Sequence, residues 1–168
     1  MRRYAVSYAL AALLGAASAQ PVGHVPSSKV LDLLGTAQRR ILVYVPYLTD
    51  LSFADALRIA KNDPSRPKLQ VILITVPFFA AKSDALSNGL ALAGVPVVEA
   101  QVSSTTAYVL VDDRLFSSKT LGRVANANDV QLMSLSDTNT FLGWFKNAAK
   151  AGTIITAYQA FTRIGGNK

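Results

Sequence analysis

The sequence contains no cysteine and only one histidine, His24, among its 168 residues. Without thiols the chain can form neither disulfides nor a thiolate metal centre, and one imidazole is too few for a multi-histidine zinc or iron site. We therefore expect no cofactor, and stability that comes from packing. Beyond residue 20 the longest apolar runs are of strand length and are interrupted by Pro46 and Pro77, so no later membrane span is expected.

The first twenty residues have the composition of an export signal. Arg2 and Arg3 precede an apolar run, which ends in the small residues Ala17, Ser18 and Ala19. This pattern predicts a secretory signal peptide over residues 1–19 and a periplasmic or extracellular protein. An uncleaved anchor is the alternative, although the run is shorter than the roughly 20 residues that a spanning helix needs.

Removal of the signal would leave a moderately basic protein. Fifteen Lys and Arg residues then stand against ten Asp and Glu residues, a net charge of +5. Such an excess favours anionic partners such as nucleic acid, phospholipid headgroups or acidic envelope polymers, although ordinary solubilising surface charge explains it equally well.

Hydrophobic periodicity predicts an α/β domain over residues 27–152, after a Pro- and Gly-containing linker over residues 20–26. Helical and strand patterns alternate, and the strands "RRILVYVPY" and "KLQVILITV" are apolar at almost every position, as in strands covered by helices on both sides. We expect a mixed, largely parallel sheet flanked by helices on both faces. Ser27 or Ser28 and Ser52 are the expected helix caps, "KSDALSNGLALAG" is expected to form one helix, and residues 153–168 form a tail ambiguous between helix and strand.

Several segments occur in the order found in a known family. They are "SSKVLDLLGTAQRRILVYVPYLTD", "ADALRIA", "LQVILIT", "LALAGVPVV", "AYVLVDDRLFSS", "ANDVQLMSL" and "FKNAAKAG". None is specific alone, but from about Ser27 to Gly152 their order and spacing resemble the phospholipase D superfamily, in particular its compact, exported, single-motif bacterial endonucleases. The resemblance implies a phosphodiesterase fold whose site is completed across a pseudo-twofold axis or a homodimer interface.

The resemblance also implies where a catalytic motif would lie. Family members carry His-x-Lys-x4-Asp before a turn and Gly-Ser-x-Asn after it, with the histidine as nucleophile and the lysine holding phosphoryl oxygens. Aligning the motif's aspartate with Asp112 places Thr105 at the histidine and Ala107 at the lysine. After the turn, Lys119, Thr120 and Gly122 stand where glycine, serine and asparagine would be, and Asp129 replaces a glutamate near Asn126 and Asn128.

These replacements remove the chemistry of the motif. Thr105 has no adjacent base to activate it, and Ala107 supplies no charge to a phosphoryl group. A homodimer would not restore either group, since both copies lack them. The ligand-binding candidates that remain are Lys119, Thr120, Arg123, Asn126 and Asn128, whose side chains suit a phosphate or carboxylate; the alternative is an ordinary solvated loop.

The remaining features have simpler structural explanations. His24 falls in the linker and is expected to be exposed rather than a substitute nucleophile. Asp112 and Asp113 suit a hairpin turn better than an acid/base pair. Tyr44, Tyr47, Phe78 and Phe79 follow strand ends, where they either stack on a ligand or pack in the core.

The sequence therefore predicts an exported, non-catalytic phospholipase D-like domain that binds an anionic ligand or an envelope protein. The anionic ligand would be nucleic acid or a phosphate-bearing envelope component. The alternative is a phosphodiesterase, either nuclease or phospholipase D-like hydrolase, with an altered active site. Reuse of the family's dimer interface in a homodimer is a third hypothesis.

Overall fold

A computed structural model describes residues 23–165 as one mixed sheet with helices on both faces. The predicted signal peptide and the start of the predicted linker lie outside the described residues. The elements are β1 (Gly23–His24), α1 (Ser27–Thr36), β2 (Arg40–Tyr44), α2 (Leu51–Lys61), β3 (Gln70–Thr75), α3 (Pro77–Ala80), α4 (Ser87–Leu92), β4 (Val97–Glu99), β5 (Ala107–Val111), β6 (Arg114–Ser118), β7 (Gln131–Leu132), α5 (Leu135–Ala151), β8 (Thr153–Ile154) and α6 (Ala157–Gly165).

The sheet has a parallel centre between antiparallel flanks. Its order is β1-β7-β6-β5-β2-β3-β4-β8. Only the β2–β3 and β3–β4 pairings are parallel, and the other pairings of the described sheet are antiparallel. The mixed α/β class is confirmed, but the sheet is less parallel than the sequence pattern suggested, because β5 to β7 form a meander instead of further crossover units.

Side chains of successive residues in the central strands pack in two different hydrophobic clusters. Ile41 and Val43 of β2 lie in the cluster that includes residues of α1, α2, α4 and α6. Leu42 and Tyr44 of the same strand lie in the cluster on α5. Burial on both faces explains why these strands are apolar at consecutive positions instead of alternate ones.

The helix starts differ from those predicted. The cap of α2 is Asp50, whose Oδ1 accepts hydrogen bonds from the amides of Ser52 at 2.9 Å and Phe53 at 3.4 Å. Ser52 is thus a capped residue rather than the cap, since Asp50 lies two residues earlier and offers a carboxylate. α1 begins after Pro26 and has no side-chain cap, so the prediction for Ser27 or Ser28 was also wrong.

The helix expected over "KSDALSNGLALAG" is shorter than predicted. α3 ends at Ala80 and α4 begins at Ser87. Between them, the amide of Leu86 donates to the carbonyl of Leu48 at 2.9 Å, so this turn bonds to the loop after β2 instead of continuing a helix. Gly94, the last residue of that segment, has a φ of 84°, a conformation that commonly follows the end of a helix.

The C-terminal segment contains both a strand and a helix. β8 pairs antiparallel with β4, joining Ile154 to Val98. Ala160 of α6 is fully buried in the cluster that contains α4, and the Arg163 guanidinium forms an ion pair with Glu99 at 2.6 Å. The fold therefore continues past Gly152, although the hydrophobic periodicity beyond that residue did not distinguish helix from strand.

Gly152 allows this final strand to approach the sheet closely. A Cβ at this position would lie 2.5 Å from Cγ1 of Val98 and 2.7 Å from the backbone oxygen of Glu99. Gly143, in the middle of α5, has no such neighbour within 4 Å and is exposed. The two glycines of this region form a matched pair for mutation.

We expect Gly152→Ala to lower the free energy of unfolding by about 1–3 kcal/mol, because the new methyl group overlaps β4. Gly143→Ala should raise the free energy of unfolding by about 0.5–1 kcal/mol through its better helix propensity. Urea denaturation of both variants measures this difference. Equal behaviour of the two variants would contradict the close approach of Gly152 to β4.

Candidate functional site

A small cavity opens beside Thr105. Its volume is about 110 Å³, and it lies beyond the carboxyl ends of β2 and β3, where ligands of open α/β sheets bind. The lining residues are Pro46, Tyr47, Val76, Phe79, Val102, Ser103, Ser104, Thr105 and Arg123. Arg123 is the basic residue among them, and Thr105 is the residue aligned with the family's histidine. We call this space the Thr105 cavity.

The position that the motif alignment gives to the family's lysine is buried. Ala107 begins β5 and is 1% exposed within the core cluster that includes Val45 and Leu121. A side chain at this position is packed among apolar groups, where an unpaired ammonium would be strongly disfavoured. The positive charge at the Thr105 cavity is instead that of Arg123, from the loop after β6.

Asp129 organises that loop from its far end. Its carboxylate accepts hydrogen bonds from the Ser118 hydroxyl at 2.6 Å, from the Lys119 amide at 2.7 Å and from the Thr120 hydroxyl. Burial opposes ionisation of this carboxyl, but the hydrogen bonds outweigh it and hold the pKa of Asp129 below its ordinary value. The Thr120 hydroxyl thus donates its proton within the loop.

Three further hydrogen bonds fix the backbone at Arg123. Gly122 has a φ of 78°, and its carbonyl accepts hydrogen bonds from the amides of Thr49 at 2.9 Å and Asp50 at 3.0 Å. The Thr49 hydroxyl donates to the carbonyl of Arg123 at 2.9 Å. A glycine suits the left-handed conformation of residue 122. The loop is therefore tied to the start of α2, and Arg123 is held at the cavity.

An aromatic cluster with one lysine borders the cavity. Tyr47 and Phe79 are stacked with their centroids 5.2 Å apart, and Phe78 contacts Phe79 edge to face and is 70% exposed. Nζ of Lys82 lies 5.1 Å from the Tyr47 centroid and 5.4 Å from those of Phe78 and Phe79. A hydrogen bond to Asp84 raises the pKa of the Tyr47 hydroxyl. The aromatic rings were identified from the sequence, but Lys82 was not. Its position in the segment that follows β3 could have indicated that it lies near these rings.

Tyr44 has a structural role. It is fully buried, its hydroxyl donates to the Ser104 carbonyl at 2.5 Å, and its ring meets Trp144 edge to face at 5.2 Å. Burial, with a smaller contribution from Tyr108, raises the pKa of Tyr44 to about 12. Its hydrogen bond positions the segment that leads into Thr105.

The structure divides the residues that the sequence grouped as ligand-binding candidates. Arg123 lines the Thr105 cavity, whereas Asn126 and Asn128 line a separate cavity with His24. Lys119 is exposed, and its backbone amide is bonded to Asp129. His24 belongs to β1, paired with Gln131, and does not line the Thr105 cavity.

Asp112 lies at the opposite end of the sheet and anchors the hairpin. With a φ of 53°, its carboxylate accepts hydrogen bonds from the amides of Gln38 at 3.1 Å, Arg39 at 2.8 Å and Arg40 at 3.1 Å. Burial raises the pKa of Asp112, but these bonds and the charge of Arg39 outweigh it, so the pKa lies below the ordinary value. The neighbouring Asp113 forms ion pairs with Arg39 and Arg40. This is the turn role that the sequence favoured.

The described residues contain neither a candidate metal site nor a candidate membrane-spanning helix. Between Gly23 and Gly165, no group of three or more His, Cys, Asp or Glu side chains could hold a metal ion. No helix in that range is both long and apolar enough to cross a membrane.

Comparison with solved structures identifies the fold. Nuc from Salmonella typhimurium, a phospholipase D family member, superposes with a TM-score of 0.65 at 17% identity, over 83% of this chain and 98% of its own. NucT from Helicobacter pylori gives a TM-score of 0.59 at 10% identity, over 80% of this chain and 100% of its own. The archaeal chromatin protein TrmBL2 gives 0.58 at 14% identity, over 81% of this chain and 55% of its own.

No protein-family model and no curated protein matches the sequence. At these identities the likeness concerns the fold: the chain has a mixed α/β fold like that of Nuc, a phospholipase D family member, and that of NucT.

We expect Asp112→Asn to destabilise the protein by about 1–3 kcal/mol near pH 7, because backbone amides lose their carboxylate partner. Asp113→Asn should cost less than about 1 kcal/mol, since Asp113 is half exposed. The pKa of Asp112 is lower in the folded state than its ordinary value. The stability that its ionised carboxylate contributes is therefore present above the unfolded-state pKa and is lost as pH falls through the folded-state pKa. The gap between wild type and Asp112→Asn should therefore shrink below about pH 4. Chemical denaturation at pH 7 and pH 3 measures it, and a gap that stays constant would refute the role of the ionised carboxylate.

Proposed function

We propose that this protein is an exported, non-catalytic member of the phospholipase D-like superfamily that binds an anionic ligand at the Thr105 cavity. The observation that carries the proposal is the composition of that cavity, in which Arg123 and the Thr105 hydroxyl are present and the lysine position is a buried alanine. A guanidinium and hydroxyls bind phosphate or carboxylate oxygens without a covalent step.

Hydrolysis by the family's route needs a nucleophile and a proton acceptor. Arg123 stays protonated and cannot act as a base, and no histidine or carboxylate lines the Thr105 cavity. Thr105 therefore has no group beside it that would take its proton. The same surroundings leave binding intact, because binding requires only charge and hydrogen-bond donors.

The rim of the cavity favours a nucleic acid or another phosphate-bearing polymer. The exposed ring of Phe78 offers a face for stacking, and Lys82 adds a second positive charge near Arg123. Among the structural neighbours, Nuc is named as a phospholipase D family member and TrmBL2 as an archaeal chromatin protein with a novel mode of DNA binding. A phosphate-bearing envelope component shares the same chemistry, and competition between the two polymers distinguishes them.

We expect Arg123→Glu to weaken binding of a fluorescein-labelled single-stranded oligonucleotide at least tenfold at low salt, because a charge-assisted contact is replaced by repulsion. Arg114→Glu is the matched control, since Arg114 is also exposed but lies at the hairpin end with Asp112 and Asp113. Fluorescence anisotropy over a salt series measures both affinities. Equal losses in the two variants would mean that net charge, and not the Thr105 cavity, governs binding.

The altered phosphodiesterase remains the alternative, favoured by the fold. We expect the wild-type protein to hydrolyse bis(4-nitrophenyl) phosphate and single-stranded DNA no faster than Thr105→Ala does. That variant is the background control, because it removes the only hydroxyl at the nucleophile position. Turnover that Thr105→Ala abolishes, in protein free of contaminating nuclease, would establish catalysis instead. The homodimer stays a prediction that light scattering tests directly.

A further inference from the structure

A second polar cavity lies at the start of α1, away from the lost catalytic motif. Its volume is about 370 Å³, and we call it the α1 cavity. Its lining residues are His24, Val25, Pro26, Ser27, Ser28, Asn126, Ala127 and Asn128. Neither the motif alignment nor the Thr105 cavity accounts for this set.

The first turn of α1 has no negatively charged side chain to offset the positive partial charge of the helix N-terminus. Pro26 stands at the cap position and has no side-chain oxygen, and the first turn contains no acidic residue. Lys29 lies in that turn instead. The free amides at a helix start carry a positive partial charge that favours an anion, and a lysine beside them increases that preference.

The side chain of Ser27 provides independent support for a ligand. Ser27 is 8% exposed and lines the α1 cavity. Its hydroxyl has no hydrogen-bond partner among residues 23–165. The residue as a whole is more than nine-tenths buried, but its hydroxyl oxygen is not fully enclosed by protein. A polar group in the α1 cavity would supply the missing partner.

The opposite wall of the cavity supplies further donors. The loop that bears Asn126 and Asn128 is held by Asp129, and the Val25 amide donates to the Val130 carbonyl at 3.0 Å, which joins β1 to this loop. Asn126 has a φ of 57°, a conformation that asparagine tolerates better than most residues. Carboxamide, imidazole and hydroxyl groups can all donate hydrogen bonds, and no carboxylate lines this cavity.

We propose that the α1 cavity binds a phosphate-type oxyanion, either free or as the phosphate group of a larger molecule. The Ser27 hydroxyl and the amides at the start of α1 contact it from one side, and Asn126, Asn128 and His24 from the other. The absence of carboxylates among the lining residues makes a cation the wrong occupant. This site does not depend on the proposed function, because its residues are separate from Thr105 and Arg123.

The single histidine makes the proposal testable without a label. His24 is the only imidazole in the chain, so its ring protons give one set of proton NMR signals. Titration of the purified protein with sodium phosphate, at fixed pH and ionic strength with chloride as the reference anion, should shift these signals along a saturable curve. A linear response, or the same response to chloride, would overturn the site.

Two variants test the contacts, and a third separates this site from the Thr105 cavity. Ser27→Ala and Asn126→Gly should each weaken the phosphate response about tenfold, and glycine keeps the backbone of residue 126 unstrained. Arg123→Ala should leave the response unchanged even if it abolishes oligonucleotide binding. A full response in both Ser27→Ala and Asn126→Gly, with native amide spectra, would contradict the proposal. Glycerol phosphate and polyphosphate, titrated in the same way, distinguish a free anion from a phosphate carried on a larger molecule.

Discussion

Both the Thr105 cavity and the α1 cavity depend on the hydrogen bonds that the Asp129 carboxylate accepts. It gathers two hydroxyls and a backbone amide from Ser118 to Thr120, and so closes the long connection between β6 and β7 into an ordered loop. Arg123 enters the Thr105 cavity from that loop, and Asn126 and Asn128 enter the α1 cavity from it. Loss of the carboxylate would leave several donors without partners in a half-buried place, and both sites would lose one wall.

The placement of charge in this chain differs from the one that the resemblance implies. The resemblance implies a histidine and a lysine on one strand, close to the phosphorus atom. Here Thr105 precedes β5 and Ala107 is buried at its start, and the positive charge at the Thr105 cavity comes from the loop after β6. A guanidinium at the rim of a cavity holds an anion by charge and hydrogen bonds, but it neither attacks phosphorus nor takes a proton. This placement of charge is the physical basis of the proposed binding without turnover.

The sequence predicted the features that depend on local pattern. Consecutive apolar residues in β2 and β3 predicted burial on both faces, and Asp112 and Asp113 predicted a turn because aspartate tolerates its backbone conformation. It failed at a helix start where a neighbouring residue competes for the cap, and also where a partner distant in sequence decides. The Ser52 cap was displaced by Asp50, and the helix before Gly94 is cut short by the bond from Leu86 to Leu48. The pairing of His24 with Gln131 likewise brings a residue of the predicted linker to Asn126 and Asn128, which spacing alone could not reveal.

A crystal structure of the protein soaked in tungstate, an oxyanion whose anomalous scattering locates it without ambiguity, tests whether the Thr105 cavity binds an anion. We expect a tungstate ion in the Thr105 cavity within hydrogen-bonding distance of the Arg123 guanidinium and the Thr105 hydroxyl, with no covalent bond to the protein. A Thr105 cavity that remains empty at saturating tungstate, or one filled by the Arg123 side chain folded inward, would contradict this expectation.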